Sequence, residues 1–216
     1  MTDKKIHVGI IPDGNRRWCK ANGKDIFNIT AMLLNLIQTV YDSMKNDKFE
    51  YLDRIKEVSV YILSIDNLTK RNDNTLELVR GGLNLLLNEP NMAKLTKVLR
   101  FEFVGELDKL PDDIRKTCHE LTKRTKKNKF LVTGAIGYDP YEDSRRVLNG
   151  DESRNHQSDI DLIIRTGGEF RSSGFFPLKT LYSEWVYLEK FFPDLNLQDI
   201  EESIKLYFSK DRRFGK

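Results

Sequence analysis

The sequence predicts an α/β protein: a single domain over residues 1–216 with a central, mainly parallel sheet flanked by helices. Three observations carry this expectation. Short β-branched or apolar runs recur along the whole chain, and the stretches between them repeat apolar residues at helical spacing. Strands that alternate with helices in this way build parallel sheets. The length of 216 residues, with no internal repeat and no low-complexity linker, suits one domain.

The elements follow in order. Val8–Ile11 reads as a buried strand that stops at Pro12-Asp13-Gly14-Asn15 and leads into a helix. Between Thr30 and Met44, the residues Met32, Leu33, Leu36, Ile37, Val40 and Met44 form an amphipathic helical stripe. Val58–Leu63 is a second strand. Asn74 suits the cap of a helix that carries Leu76, Val79, Leu83 and Leu86 and ends at Pro90. Leu99–Val104 is a strand. Leu110-Pro111-Asp112-Asp113 opens a helix with acids at its positive dipole end, and the basic run Lys123–Lys127 closes it. Phe130–Ile136, Ile160–Ile164 and Trp185–Phe192 are the remaining strands, with a surface loop at Asn149–Ser158. Asn196 and Asp199 start a last helix, Ile200–Phe208.

Composition narrows the function classes. The net charge of +3 is too mild for a dedicated nucleic-acid binder, and the Lys123–Lys127 run reads as a solvated helix end. With 39% hydrophobic and 32% charged residues, the chain buries a real core beneath a charged surface. No apolar stretch approaches the roughly 20 residues that cross a bilayer, so no integral membrane segment is expected. The amino-terminal residues show no signal-peptide pattern, and Cys19 and Cys118 have no metal or redox spacing. The expected location is the cytoplasm, with both thiols reduced. His7, His119 and His156 lack zinc spacing and read as surface or capping residues.

Ligands of parallel α/β sheets gather beyond the carboxyl ends of the strands. Two segments place anion-binding chemistry there. Pro12-Asp13-Gly14-Asn15-Arg16-Arg17-Trp18 follows the first strand. Its helix-start N–H groups, a glycine permitting close approach and two guanidiniums form a phosphate cradle. Asp13 repels a bare phosphate, so it suits a Mg²⁺ ion held between itself and that phosphate. Taken alone, this segment is more often an ordinary Asp-Gly turn with surface arginines. The second segment runs from Asp161 to Ser173, where a buried strand ends at Arg165 and Gly167-Gly168 turns the chain. Arg165, Arg171 and Ser173 there suit a second phosphate group, each charge-assisted hydrogen bond contributing on the order of 1.5–3 kcal/mol. The plainer alternative pairs Arg165 with a neighbouring acid. Neither a GxxxxGK[ST] loop nor a GxGxxG turn is present, so P-loop and dinucleotide sites are unsupported.

These motifs resemble those of the cis-prenyltransferases, the undecaprenyl diphosphate synthase-like enzymes. The likeness runs from His7 to Gly215. It rests on four blocks in order: His7–Trp18, Asp161–Arg171, Tyr182-Ser183-Glu184 with Phe192-Pro193-Asp194, and Arg212-Arg213-Phe214-Gly215. The resemblance implies a single undecaprenyl diphosphate synthase-like domain with an apolar tunnel, and a homodimer. It implies that Asp13 is the catalytic aspartate engaging Mg²⁺ and the allylic diphosphate, and that Asn15 helps handle the proton. Gly14, Arg16 and Arg17 would cradle that diphosphate, and Trp18 would shape the pocket. Arg165, Arg171 and Ser173 would bind the second diphosphate, and Glu184 would position the metal. Arg213-Phe214-Gly215 would reach the neighbouring subunit's site, with Gly215 touching substrate there.

Several blocks depart from the regular pattern. Ile26 and Thr30 stand where regular members carry an Arg and a His that hold the allylic diphosphate. The middle motif reads Ser64-Ile65-Asp66-Asn67-Leu68, and a later block reads Ile136-Gly137-Tyr138-Asp139-Pro140-Tyr141-Glu142. The shortened stretch from there to Asp161 predicts a missing helix. The chain is more similar to the small cyclolavandulyl diphosphate synthase-like branch, through Arg16-Arg17-Trp18 and Ser173-Gly174-Phe175-Phe176-Pro177-Leu178. That likeness implies head-to-middle coupling of two C5 units, from dimethylallyl diphosphate alone, to a lavandulyl-type C10 diphosphate. The alternatives are regular cis-1′-4 condensation of isopentenyl diphosphate with a short allylic diphosphate, or a non-catalytic subunit of a heteromeric enzyme.

Overall fold

The computed structural model describes residues 4–25, 28–43, 49–70, 74–90, 94–151 and 158–211. The sheet contains β1 (Ile6–Ile11), β2 (Ile55–Ser64), β3 (Leu99–Val104), β4 (Phe130–Tyr138), β5 (Leu162–Arg165) and β6 (Glu184–Tyr187). Their order is β3-β4-β2-β1-β5-β6, and every neighbouring pair is parallel. The helices are α1 (Asn15–Asn22), α2 (Asn28–Ser43), α3 (Ile65–Lys70), α4 (Asn74–Asn88), α5 (Asp112–Thr125), α6 (Pro140–Leu148) and α7 (Leu197–Ser209). This is the single parallel sheet that the alternating pattern predicts.

Residues paired across a parallel ladder share a face, and here Val8 lies between Val58 and Leu162, with Val132 beyond Val58. That face packs on helices: Leu83, Leu86, Ile114 and Leu121 meet Phe101 and Val132, while Ile200 and Ile204 meet Val8 and Leu162. The opposite face carries Ile163 and Ala135, and it is closed by the aromatic side chains of Tyr138, Phe175 and Phe176. Caps read from sequence are present at α7, where Asn196 and Asp199 form a reciprocal capping box. At α6, Asp139 accepts from the N–H groups of Tyr141 and Glu142, and Pro140 occupies the first turn.

Three expectations are corrected, and one helix went unread. α6 follows β4 directly, started by the Asp139 cap and Pro140. The last strand ends at Tyr187. The chain then turns so that Leu188 and Lys190 accept from Gly168 and Gly167, and Phe192–Asp194 is a single 3-10 turn. β5 begins at Leu162, since the N–H of Ile160 is taken by the carbonyl of Lys179 outside the ladder. His7 is a core residue: it is 1% exposed, with Nε2 on Ser59 Oγ at 2.9 Å and Nδ1 on the Ser158 carbonyl at 3.0 Å. Cys19 and Cys118 are buried free thiols. Residues 152–157 of the Asn149–Ser158 loop, Ile26, and the Arg213-Phe214-Gly215 block fall outside the described residues.

A candidate diphosphate site at the sheet's switch point

β1 lies in the sheet between β2 and β5, so the chain leaves it toward one side first and fills the other side later. Loops that diverge at such a switch point open a crevice above the carboxyl ends of the strands. In that crevice Ile11 is paired with Arg165, the last residues of β1 and β5. The two sequence segments therefore meet, although 152 residues separate Asp13 from Arg165.

Asp13 and Arg165 form the centre of the site. Arg165 Nη2 donates to Asp13 Oδ2 at 2.7 Å, and its Nη1 donates to Ser173 Oγ at 2.8 Å and to the Arg171 carbonyl. The Arg165 side chain is 3% exposed and that of Asp13 33%, so one buried cation joins both halves of the site. Asp13 Oδ1 accepts from the Gly14 N–H at 2.6 Å, and Arg17 Nη2 approaches it at 3.6 Å. The alternative of Arg165 paired with an acid is thus realised, and the acid is the candidate catalytic residue itself.

Gly14 caps α1 with φ of 92°, in the left-handed region, and a Cβ there would sit 2.4 Å from Phe191 Cδ1. Glycine is therefore required by backbone and by space. Asn15, Arg16 and Arg17 follow as the first turn of α1, which carries no acid, and Trp18 makes the first bond back to the Gly14 carbonyl. The free N–H groups and the helix dipole present partial positive charge at this point. Arg17 is held over the Phe191 ring, 5.2 Å from its centroid, while donating to the Gly167 carbonyl at 2.9 Å. Arg16 and Arg171 are exposed at the same mouth, Arg171 resting on Glu169. The Asn15 side chain donates to the Pro12 carbonyl at 3.1 Å, and its buried Oδ1 accepts from no group among the described residues.

A cavity of about 1000 Å³ runs inward from this mouth. Asp13, Asn15, Arg16, Arg17, Arg171 and Ser173 line the polar end, and Leu83, Leu86, Phe101, Phe103 and Val132 are among its apolar walls. Leu83 and Leu86 thus line the cavity from the leucine stripe of α4.

Two candidate residues stand elsewhere. Trp18 packs, partly buried, against the core cluster that holds Ile6, Phe192 and Leu195 and donates to Asp194 Oδ1 at 2.7 Å, because one step around α1 from Arg17 turns it away from the cleft. Glu184 starts β6 opposite Leu162, about 10 Å down the strand from Tyr187 and Arg165. There it accepts from Lys210 Nζ at 2.7 Å, so within one chain it does not share a metal with Asp13.

Two residues escaped the sequence reading. The Thr166 hydroxyl, fully buried, accepts from the Asp13 N–H and donates to the Asp13 carbonyl, both at 2.9 Å, and so fixes the Asp13 turn to β5. Tyr61 of β2 donates to the Ser173 carbonyl at 3.2 Å, and its ring packs 5.3 Å from that of Phe175. Burial pushes its phenol up to about 12, so it remains a donor at any physiological pH. Ser173 itself has φ of 52°, a strained left-handed conformation that the Tyr61 and Arg165 contacts hold in place. Only position inside an alternating strand marked Tyr61, which is also the signature of a core residue.

A cationic, N–H-rich mouth over a deep apolar cavity defines a protein built for amphiphiles, each an anionic head on a hydrocarbon tail. Comparisons with known proteins agree. The family model of undecaprenyl diphosphate synthases matches residues 11–150 and 142–215. A tritrans,polycis-undecaprenyl-diphosphate synthase (geranylgeranyl-diphosphate specific) of Aeropyrum pernix is 28% identical over 218 residues, 97% of each chain. The corresponding synthase of Sulfolobus acidocaldarius is 32% identical over 236 residues, covering 97% of this chain and 87% of that one. Among solved structures, lavandulyl diphosphate synthase from Lavandula x intermedia, in complex with dimethylallyl diphosphate, superposes with a TM-score of 0.77 at 22% identity over 99% of both chains. This chain belongs to the undecaprenyl diphosphate synthase family of prenyltransferases, and it is a transferase of prenyl groups.

Proposed function

We propose that the chain condenses an allylic isoprenoid diphosphate, seated on Asp13 to Arg17, with a second isoprenoid diphosphate seated on Arg171, Ser173 and Arg165. The observation that carries this reading is the Asp13–Arg165 pair, which joins two anion cradles over one apolar cavity. The allylic C–O bond ionises, and the departing diphosphate gathers negative charge. The α1 N–H groups, Arg16 and Arg17 face that charge as it develops, and preorganised donors of this kind are a major source of rate enhancement. The second substrate's double bond attacks the cation, a C–C bond forms, and a proton leaves to a diphosphate oxygen or to the acceptor Asn15 Oδ1. Holding the partners in register contributes up to roughly 7–11 kcal/mol.

Asp13 fits a Mg²⁺ ion. It is a part-exposed carboxylate beside the cradle, and among the described residues no cluster of three ligating side chains surrounds it. Such a site matches a hard cation that takes one carboxylate and completes its shell with phosphate oxygens. When bound, Mg²⁺ neutralises charge on the leaving diphosphate. A diphosphate on Arg165 would give that guanidinium a second anion, leaving the Asp13 carboxylate able to hold the metal.

Cavity size favours chain elongation with isopentenyl diphosphate over C10 coupling. Pockets of about 300–1000 Å³ bury drug-sized ligands, and this one stands at the upper end of that range. Head-to-middle coupling of two dimethylallyl diphosphates is the second reading, favoured by Ile26 and Thr30 in place of the cationic pair. The meeting of Asp13, Arg165, Arg171 and Ser173 in one cleft argues against a non-catalytic subunit. A homodimer is part of the proposal, with Arg213-Phe214-Gly215 reaching the neighbouring cleft. The β6 edge supports it, since Trp185 and Tyr187 stack there and Phe170, Leu181 and Tyr182 stand exposed beside them.

The test is purified protein with Mg²⁺ and allylic diphosphates of increasing length, with and without isopentenyl diphosphate, products read by mass spectrometry. Z-configured products that require isopentenyl diphosphate and vanish with chelator support elongation. A branched C10 product from dimethylallyl diphosphate alone selects the second reading. No turnover on any pair sinks both.

A further inference from the structure

The basic run that closes α5 has no role in the cleft, yet the fold gathers more charge around it. Asn128 Nδ2 donates to the carbonyls of Thr96 and Leu99 at 2.9 and 2.8 Å, which ties the α5–β4 turn to the turn before β3. Lys97 therefore joins Lys123, Arg124, Lys126, Lys127 and Lys129, all exposed, in one corner at the amino end of the sheet. Acids beside it include Glu120, paired with Arg124, and Glu89 past the end of α4, while Glu102 of β3 is paired with Arg100. The corner is thus more positive than the whole chain, whose net charge is only +3.

This corner borders the inner end of the cavity. Arg124 donates to the Leu87 carbonyl at 3.3 Å, and Leu86 lines the cavity. Thr125 Oγ1 accepts from the N–H of Phe101, another wall residue, at 2.9 Å. The nine residues of β4 put the diphosphate mouth roughly 30 Å away, well beyond the ~8 Å screening length at physiological salt. Steering of anionic substrates into the mouth therefore does not explain the charge.

We propose that this corner adsorbs the protein on an anionic lipid bilayer, with the hydrocarbon end of the cavity turned toward the membrane. Lysines dominate it, and point charges on flexible stems suit a sheet of headgroups. The large exposed hydrophobic residues lie in other segments, so attachment is electrostatic and salt-reversible. Nucleic acid is the disfavoured partner, because single-strand binders interleave exposed aromatic rings with their cations, and among the described residues none stands here.

The proposal rests on the cavity's holding a hydrocarbon chain, but its test needs no turnover, so the two fail separately. The full chain is sedimented with vesicles of phosphatidylcholine alone or mixed with phosphatidylglycerol, at low and high salt. The comparison is a Lys123→Glu/Lys126→Glu/Lys127→Glu variant, with Lys20→Glu/Lys24→Glu/Lys205→Glu as a charge-matched control. Each lysine near an anionic surface contributes about fivefold in affinity, so the first variant loses about a hundredfold or more. The control keeps most of the binding, and the first variant keeps prenyl transfer on short soluble substrates. Should the reversals prevent folding, alanines at the same three positions give the same comparison with a smaller loss. Absent binding, equal binding to neutral vesicles, equal loss in the control, or tighter binding to a homopolymeric RNA than to vesicles would each overturn it.

Discussion

Replacing Asp13 by alanine tests the centre of the site through stability as well as turnover. In the ligand-free chain the carboxylate accepts from Arg165 at 2.7 Å and from the Gly14 N–H at 2.6 Å. Its loss strands a guanidinium whose side chain is only 3% exposed, leaving it the Arg171 carbonyl and the Ser173 hydroxyl. Breaking a fully buried pair costs about 3–5 kcal/mol, but Asp13 is a third exposed and water replaces part of it. The expected loss is about 2 kcal/mol, or a fall in Tm of about 4–8 °C for a chain of this size. Inorganic diphosphate then acts oppositely on the two proteins in chelator-containing buffer. In the parent it must displace Asp13 from Arg165 against like charge. In the variant it finds the cation free, so it binds about tenfold tighter and restores more of the lost Tm. Prenyl transfer disappears in the variant. Thermal denaturation with and without diphosphate reads every arm. An unchanged Tm, or metal-free diphosphate stabilising the parent as much as the variant, would refute the reasoning.

Other perturbations have equally definite outcomes. Gly14→Ala forces an L-residue to φ of 92° against the Phe191 ring; at least ~1–2 kcal/mol of stability and nearly all turnover are lost, read by urea unfolding and product assay. Tyr61→Phe frees the Ser173 carbonyl, and losing about 1 kcal/mol of positioning raises KM for the second diphosphate about fivefold while kcat and the allylic KM barely move. Burial holds the His7 pKa below its ordinary 6.5, with Glu57 opposing the shift in part. Below pH 6.5 the unfolded chain therefore takes up a proton that the fold resists, so urea midpoints fall as pH drops through that window and flatten above it; His7→Gln removes the slope. Cys118, 1% exposed and with its thiol pushed up to about 12 by burial, resists disulfide reagents at mildly alkaline pH until the protein is unfolded.

Much of the fold is legible because its signals are local. The Asn196–Asp199 box, the acids opening α5 and the apolar run of β1 each act within a few residues. The ends of β2 and β4 are less so: Ile55 to Glu57, Ser64, and Gly137 to Tyr138 join the strands because partners already extend there. α6 went unread because its nine residues show one apolar stretch too brief for periodicity, although Asp139-Pro140 is a start signal. His7 read as a surface or capping residue because nothing local tells that Ser59 and Ser158 wait to satisfy its two nitrogens.

For the site, sequence determined the chemistry and the tertiary structure determined the geometry. Asp13-Gly14-Asn15-Arg16-Arg17 and Arg165 through Ser173 each suggest anion binding by residue type, through helix-start N–H groups and guanidiniums, but each alone also reads as an ordinary turn, and only the two together point to one site. Which end of a strand each segment follows is also local. That β5 lies beside β1 is not local, and neither is the Asp13–Arg165 pair, the Thr166 clamp or the Tyr61 contact that depends on it. Trp18 and Glu184 show the same division: both carry suitable chemistry, and packing turns one toward the core and leaves the other at the far end of its strand. Strand order is set by the summed burial of whole faces, a quantity no single segment contains, and the cavity's walls come from segments as distant in sequence as α4, β3 and β4.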